Sequence, residues 1–287
     1  MDARDGDREL KVVLEGQYKT AYELLEDAVA VGLTPIVIGP PGVGKSLLVR
    51  KFARDTGRAF HEVFFDELLR PSYLIGTFNP AIVLQRGYCA EAFEKGPLIT
   101  TMEEGGVFLA QELNRASEFC QNSLLEPLEE RSYYIPRIGR VHADERFVFI
   151  ATANPAELAG THRFSEALRD RLRVWIPLTY PDRETELKII RVNCEPLTLA
   201  EDVLEKIYNV VEMARKEKEL EMSVSIRAGI AIARLSARHL SKHGSIGNDD
   251  IAAYARSVIL GAARGKKWLD LEKTLDDVIR GAMRAYG

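Results

Sequence analysis

Eight consecutive residues, Gly39-Pro40-Pro41-Gly42-Val43-Gly44-Lys45-Ser46, have the spacing of a phosphate cradle. Glycines let the backbone turn without Cβ clashes, so successive N–H groups converge on a phosphate while the helix that follows offers its positive N-terminus. Lys45 is placed to reach β- and γ-phosphates as a point charge, and Ser46 to give its hydroxyl to Mg2+. The setting agrees, since β-branched Ile36-Val37-Ile38 leads in and a helical pattern leads out. A plain Gly/Pro turn between strand and helix is the alternative, but it has no need of Lys-Ser at that place.

Other strand-like runs end in residues suited to the same chemistry. Ala110-Gln111-Glu112 closes one of them. In phosphate-loop ATPases an acidic residue here holds a magnesium-bound water, and a following Glu orients the attacking water. Glu112 suits the second role, whereas Gln111 is neutral where Asp is expected. An amide oxygen can accept a hydrogen bond from a metal-bound water but lacks the charge that helps hold a dication, so weakened metal affinity is expected. Asn154 follows the run ending Thr152-Ala153 and can bond a γ-phosphate or a lytic water, although Asn154-Pro155 by itself also reads as a turn. Arg169 and Arg171 flank Asp170, where an always-charged planar donor can stabilise charge on a phosphoryl group; read alone, the group is a surface ion-pair cluster. Arg227 opens a later helix that also carries Arg234 and Arg238. It is either one member of a basic face or, from its early position and Ser225 two residues before it, the arginine that reaches a nucleotide.

Positioning these groups requires a particular scaffold. Runs at 33–38, 59–65, 106–110, 147–152 and 174–178 are apolar at nearly every position, as strands covered on both faces must be, and helical segments separate them. This predicts an α/β fold with a parallel sheet between helix layers, whose ligands gather beyond the carboxyl ends of the strands. A helix over 18–31 carries Ala21, Leu24, Leu25 and Ala28 on one stripe, and the helix after the loop carries Leu48, Val49, Phe52 and Ala53. Two insertions interrupt the alternation. Residues 74–101, with Ala81-Ile82-Val83-Leu84, read as a hairpin-like excursion, and Ser132–Pro136 with Arg140–His142 read as a second hairpin. They suit levers on a nucleotide-driven sheet or decoration that covers its edge.

From Pro181 the strand signals vanish. Asp182, Glu184 and Glu186 suit a helix start, where the dipole favours negative charge, and stripes at Leu204, Ile207, Val211, Ala214, at Ile226, Ile230, Ala233, Ala237, Leu240 and at Leu271, Leu275, Val278, Ala282 predict a helical bundle. In 287 residues, 46% apolar composition is ample for a core. A formal charge of −4 and an isoelectric point near 5.9 give no global sign of a nucleic-acid or membrane-surface binder. Cys89, Cys120 and Cys194 have no paired spacing and read as free thiols. Without a membrane-length apolar run or a signal-peptide pattern, a cytoplasmic location is the default expectation.

With these residues assembled, the chain from about Val12 onward resembles the MoxR family of AAA+ ATPases. The likeness rests on Gly39 to Ser46; on Phe64 to Gly76, similar to the family's lead into an insert in the second helix; on Glu112-Leu113-Asn114-Arg115-Ala116; on Leu124-Leu125-Glu126; on Ile150 to Pro155; and on Ala167 to Leu172. The resemblance implies an αβα core over 1–180 with five-stranded parallel sheet order 5-1-4-3-2, an all-α lid over 181–287, and a ring, commonly a hexamer, with ATP and Mg2+ between subunits. Residues Gly39 to Leu47 would then bind the nucleotide together with Arg227 as sensor 2. Ser46 and Gln111 would face the metal, Glu112 would be the Walker B catalytic Glu and Asn154 sensor 1, and Arg171, before Arg169, the arginine finger. Family members are chaperone-like remodellers of protein clients, often working with a von Willebrand factor A domain partner. The chain departs from the family at Gln111 and at Pro127, which predicts a kink or early end in the helix after Walker B. A second reading is a nucleotide-gated assembly scaffold with weak or no hydrolysis. A third is a DNA motor, supported by Arg131, Arg137 and Arg140 around the second hairpin and opposed by the acidic composition.

Overall fold

The computed structural model describes residues 11–155, 163–217, 224–261 and 268–284. By internal contact the chain falls into two compact units. One holds Tyr18–Pro40 and Gly44–Leu178; the other holds the described residues up to Gln17, Pro41–Val43 and the chain from Thr179.

The first unit begins with α1 (Gln17–Ala30), which buries Tyr18, Ala21, Tyr22, Leu25 and Ala28. The expected stripe is corrected at Leu24, which is exposed because it lies on the flank of the face that Tyr18, Ala21 and Leu25 define, and Tyr22 takes its place. Strand β1 (Thr34–Ile38) feeds the loop, and α2 (Lys45–Asp55) buries Leu48, Val49, Phe52 and Ala53 as expected. Next come β2 (Phe60–Phe64), α3 (Pro71–Ile75), β3 (Gly76–Phe78), α4 (Pro80–Arg86), β4 (Phe93–Lys95), α5 (Pro97–Glu104) and β5 (Val107–Gln111). After them lie α6 (Glu118–Asn122), α7 (Leu125–Glu129), β6 (Ser132–Ile135), β7 (Gly139–His142), β8 (Val148–Ala153), α8 (Glu166–Arg171) and β9 (Leu172–Pro177).

Strands β2, β5, β8, β1 and β9, side by side in that order, form one parallel sheet. Numbered along the chain this is the 5-1-4-3-2 order expected. Strand β8 is buried at every position and β5 at all but its last, with Phe108 stacked on Phe149 at 5.6 Å between ring centroids. Strand β2 differs, burying only Val63, because it is an edge with one neighbour. Pro35 sits in a central strand, where a missing N–H would break a ladder. The ladder to β8 starts only at Ile36, and the register to β9 shifts between Thr34 and Pro35, so the proline falls at an irregularity of the ladder.

Both insertions are hairpins. Strands β3 and β4 pair antiparallel, as do β6 and β7. Residues Ala81 to Leu84 nevertheless lie in a helix, α4, because Pro80 fixes its first turn and the Asn79 side chain accepts from the N–H groups of Ala81 and Ile82. The helix expected around Pro127 is interrupted upstream, between Asn122 and Leu125. Pro127 falls in the first turn of α7, where a missing N–H is tolerated, and Ser123, whose carbonyl a continuous helix would have paired with residue 127, lies in the break. Burial pushes the thiols of Cys120 and Cys194 up to about 11, so neither of these free cysteines is a ready nucleophile.

The second unit is helical: α9 (Arg183–Val192), α10 (Glu201–Lys216), α11 (Ile226–His243), α12 (Asn248–Leu260) and α13 (Trp268–Arg284). The expected stripes are buried, apart from the half-buried Leu240. Asp182 caps α9 by accepting the Thr185 N–H at 2.9 Å, and that bond holds its carboxyl below the usual range. Glu186 is not the solvated charge of a helix start. It is fully buried, and Arg215 clamps it with Nη1 at 3.0 Å and Nη2 at 2.7 Å. Arg215 also donates Nε to the Val224 carbonyl at 2.9 Å and lies 3.9 Å above the Tyr180 ring. One arginine thus ties α9 to α10 and fixes the approach to α11. Arg215→Met leaves Glu186 as an uncompensated buried charge, and urea unfolding is expected to show a loss of about 3–5 kcal/mol. The joint Arg215→Met/Glu186→Leu change, which buries no charge, is expected to recover most of that loss.

Candidate nucleotide site

The loop between β1 and α2 is anchored where the sheet is most buried. The Gly39 N–H donates to the Ala153 carbonyl at 3.2 Å, continuing the pairing of Ile38 with Ala153. Gly42 and Gly44 have φ of +70° and +98°, conformations that suit residues without a Cβ. They stand on either side of Val43, as in backbone nests that bind anions. Lys45 opens α2 and is buried, with Nζ donating to the carbonyls of Gly39 at 2.8 Å and Pro40 at 3.1 Å. The same ammonium is 3.8 Å from Oε1 of Glu112.

Glu112 follows β5 with φ 53° and ψ 41°, in the left-handed region that non-glycine residues seldom occupy. That turn sends the chain out of the strand, and the Glu112 N–H is held by Oγ1 of Thr152 on β8 at 3.2 Å. Its Oε2 is buried without a hydrogen-bond partner, leaving an acceptor in place for a proton donor. Gln111 turns its oxygen to Ser46, whose Oγ donates at 2.7 Å, and its amide nitrogen to Oε2 of Glu62 at 2.7 Å. Arg50, four residues after Ser46 on α2, pairs with both Glu62 oxygens. Asn154 is buried directly beyond Ala153, at the end of β8 next to the loop strand.

The oxygen donors at Ser46 and Gln111 fit a hard cation such as Mg2+. Among the described residues no group of three or more His, Cys, Asp or Glu gathers to cage a metal. A metal here would therefore depend on few protein oxygens and on phosphate, as Mg2+ commonly does.

Of the predicted residues, the structure brings Lys45, Ser46, Gln111 and Glu112 together, with Asn154 on the adjacent strand end. Within the helical unit Arg227 lies in the first turn of α11, beside the loop tip. A Cβ added to Gly42 would come within 2.4 Å of the Ser225 Cβ and 3.8 Å of the Arg227 Cδ. Arg234 donates to the Asn193 carbonyl at 2.7 Å, so the basic face has at least one purely structural member. Arg171 and Arg169 are on α8. Arg171 donates to the Ala167 carbonyl at 2.8 Å and pairs with Glu129 at 3.0 Å, and Arg169 lies 5.7 Å over the Trp175 ring. Asp170, which they flank, pairs instead with Arg173.

Glu62, Arg50, Thr152 and Glu129 escaped the reading from sequence. Glu62 had a signal, a charge inside an apolar strand, and so did Arg50, one turn beyond Ser46 on the same helix face. The Thr152 and Glu129 contacts join distant segments and have no local signature.

The family described as AAA domain (dynein-related subfamily) matches residues 35–172. Chaperone MoxR1 of Mycobacterium tuberculosis is 30% identical, with 95% of this chain and 73% of that protein aligned. Gas vesicle ATPase GvpN of Haloferax mediterranei is 30% identical over 71% of this chain and 62% of its own length. The crystal structure of NtrX from Brucella abortus in complex with ATP shares the fold at a TM-score of 0.63 and 16% identity, covering 99% of this chain and 63% of that one. The sheet order and the loop it carries agree with these likenesses, and the chain belongs to the MoxR family of AAA+ ATPases.

Proposed function

We propose that the protein binds ATP with Mg2+ at the sheet edge, hydrolyses it, and uses the cycle as a ring to remodel a protein client. The observation that carries the hydrolytic part is Glu112. A carboxylate on a left-handed residue, with one buried oxygen unpartnered and the other 3.8 Å from a buried lysine, is held at a conformational cost of order 1 kcal/mol or more. Such an acceptor is suited to take the proton of an attacking water. Lys45 would exchange the Gly39 and Pro40 carbonyls for phosphate oxygens, and the nest from Gly39 to Leu47 would supply N–H donors. Asn154 would orient the water. Ser46 and Gln111 would hold the metal, which when bound neutralises charge on the β- and γ-phosphates. Arg227 would complete the nucleotide contacts.

Arg171, or Arg169 in its stead, would act on the nucleotide of a neighbouring copy. The proposed ring, a hexamer by family habit, would then be needed for turnover. The relatives' names, a chaperone and a gas vesicle ATPase, support a protein client, and a von Willebrand factor A domain partner is part of the same proposal. The hairpins suit coupled levers, because Arg137 of the second lies 3.7 Å over the Tyr88 ring, which in turn packs on Phe78 of the first. The basic residues there have partners within the chain: Arg131 donates to the carbonyls of Asp144 and Phe147, and Arg140 pairs with Glu126. This weakens the DNA-motor reading.

A second reading, the nucleotide-gated scaffold with little hydrolysis, is favoured by one observation: Gln111 brings no charge of its own to the metal side. Hydrolysis per subunit measured against protein concentration separates the two. The ATPase reading predicts activity per subunit that rises with concentration, a loss of at least ~100-fold in Glu112→Gln with ATP binding retained, and lost binding in Lys45→Ala. Arg171→Ala subunits, inactive alone, are expected to regain activity when mixed with Glu112→Gln subunits, since each partner supplies what the other lacks. A rate independent of concentration together with no recovery on mixing would remove the ring mechanism.

A further inference from the structure

Resting on the reading of this edge as a nucleotide and Mg2+ site, we infer that Glu62 is a positioning residue of the metal side, fixing the direction of the Gln111 amide. An aspartate in that place presents an acceptor whichever way its carboxylate turns. A glutamine does so in only one of two orientations, and rotated by half a turn it would aim an NH2 group at Ser46 and at any cation beside it. Glu62 removes the ambiguity. An ionised carboxylate accepts only, so the group 2.7 Å from Oε2 of Glu62 has to be the amide nitrogen, and the oxygen is left for Oγ of Ser46 at 2.7 Å.

Glu62 is itself held. Arg50 engages both of its oxygens from α2, and because Arg50 is one helical turn beyond Ser46, the two ends of the chain of bonds are fixed to the same helix. Ser46, Gln111, Glu62 and Arg50 close a ring across α2, β5 and the edge strand β2. This accounts for a glutamate within the strand, since the edge position gives Glu62 room to face the helix. The arrangement makes a neutral residue serviceable next to a cation: Gln111 gives the acceptor, and a carboxylate behind it dictates which end is the acceptor. Partners of this kind around metal ligands commonly govern metal affinity by 10-fold or more.

The test is the affinity of the full-length protein for a fluorescent, non-hydrolysable ATP analogue in EDTA and in excess Mg2+. The quantity of interest is the gain that Mg2+ confers. Glu62→Leu is expected to shrink that gain by at least ~10-fold while affinity in EDTA stays within about twofold. Glu62→Gln, nearly identical in shape, can accept or donate toward Gln111 and is expected to lose part of the gain, which guards against a folding defect in the leucine variant. Joint Glu62→Gln/Gln111→Asp is expected to restore it, because Asp needs no orienting partner. The inference is overturned if both Glu62 variants keep the full gain, if affinity with and without Mg2+ falls by one common factor, or if the joint variant fails to recover. Failure of the unaltered protein to bind the analogue at all would overturn the nucleotide-site reading together with this one.

Discussion

Parallel strands buried on both faces have to end at a common edge, and the chemistry of this molecule follows from that constraint. Strands β5, β8 and β1 are neighbours, and their registers place Ala110 opposite Ala151 and Ala153 opposite Ile38. Gln111 and Glu112, Asn154, and the phosphate loop therefore leave the sheet side by side. The residues just past β5 and β1 bond to β8, the Glu112 N–H to Thr152 and the Gly39 N–H to Ala153, while Ser46 at the start of α2 donates to Gln111 at the end of β5. The stability of the sheet is what allows Glu112 to be kept in a left-handed conformation.

Charge is distributed sparingly at this edge. Lys45 is buried, and its ammonium meets carbonyls of the loop and the Glu112 carboxylate. Gln111 adds none, and Glu62 stands behind it already matched with Arg50. Under the proposed function, a site built this way would rely on a bound triphosphate to attract a dication more than on its own carboxylates. That would be the physical content of the difference between Gln111 and the aspartate that the family resemblance leads one to expect there.

Much of this was legible in the chain. The loop, the buried stripe of α2 and both hairpins agree with the structure because local turn chemistry and apolar periodicity specify them, and the sheet order agrees with what the family likeness implied. Other features were not, for identifiable reasons. Leu24 was misplaced because two overlapping stripes fit the same helix and only packing chooses between them. Ala81 to Leu84 are apolar, with β-branched Ile82 and Val83 at their centre, yet Asn79-Pro80 caps a helix there. Glu186 has the sequence position of a dipole charge, and only the arrival of Arg215 from another helix makes it a buried ion pair. Places at the site were readable where they depend on order along the chain, as for Lys45 and Glu112. They were hidden where they depend on a partner from a separate strand, as for Glu62 and Thr152.

The proposed function requires that a strand end bearing a neutral Gln111 still supports hydrolysis. Mg2+-dependence of steady-state ATP turnover at saturating nucleotide, compared between the unaltered protein and Gln111→Asp, tests it most directly. Turnover is expected in both, with the unaltered protein requiring the higher Mg2+ concentration for half-maximal rate. A protein that binds ATP but stays silent at every Mg2+ concentration, and gains turnover only as Gln111→Asp, would contradict it and leave a nucleotide-gated scaffold in its place.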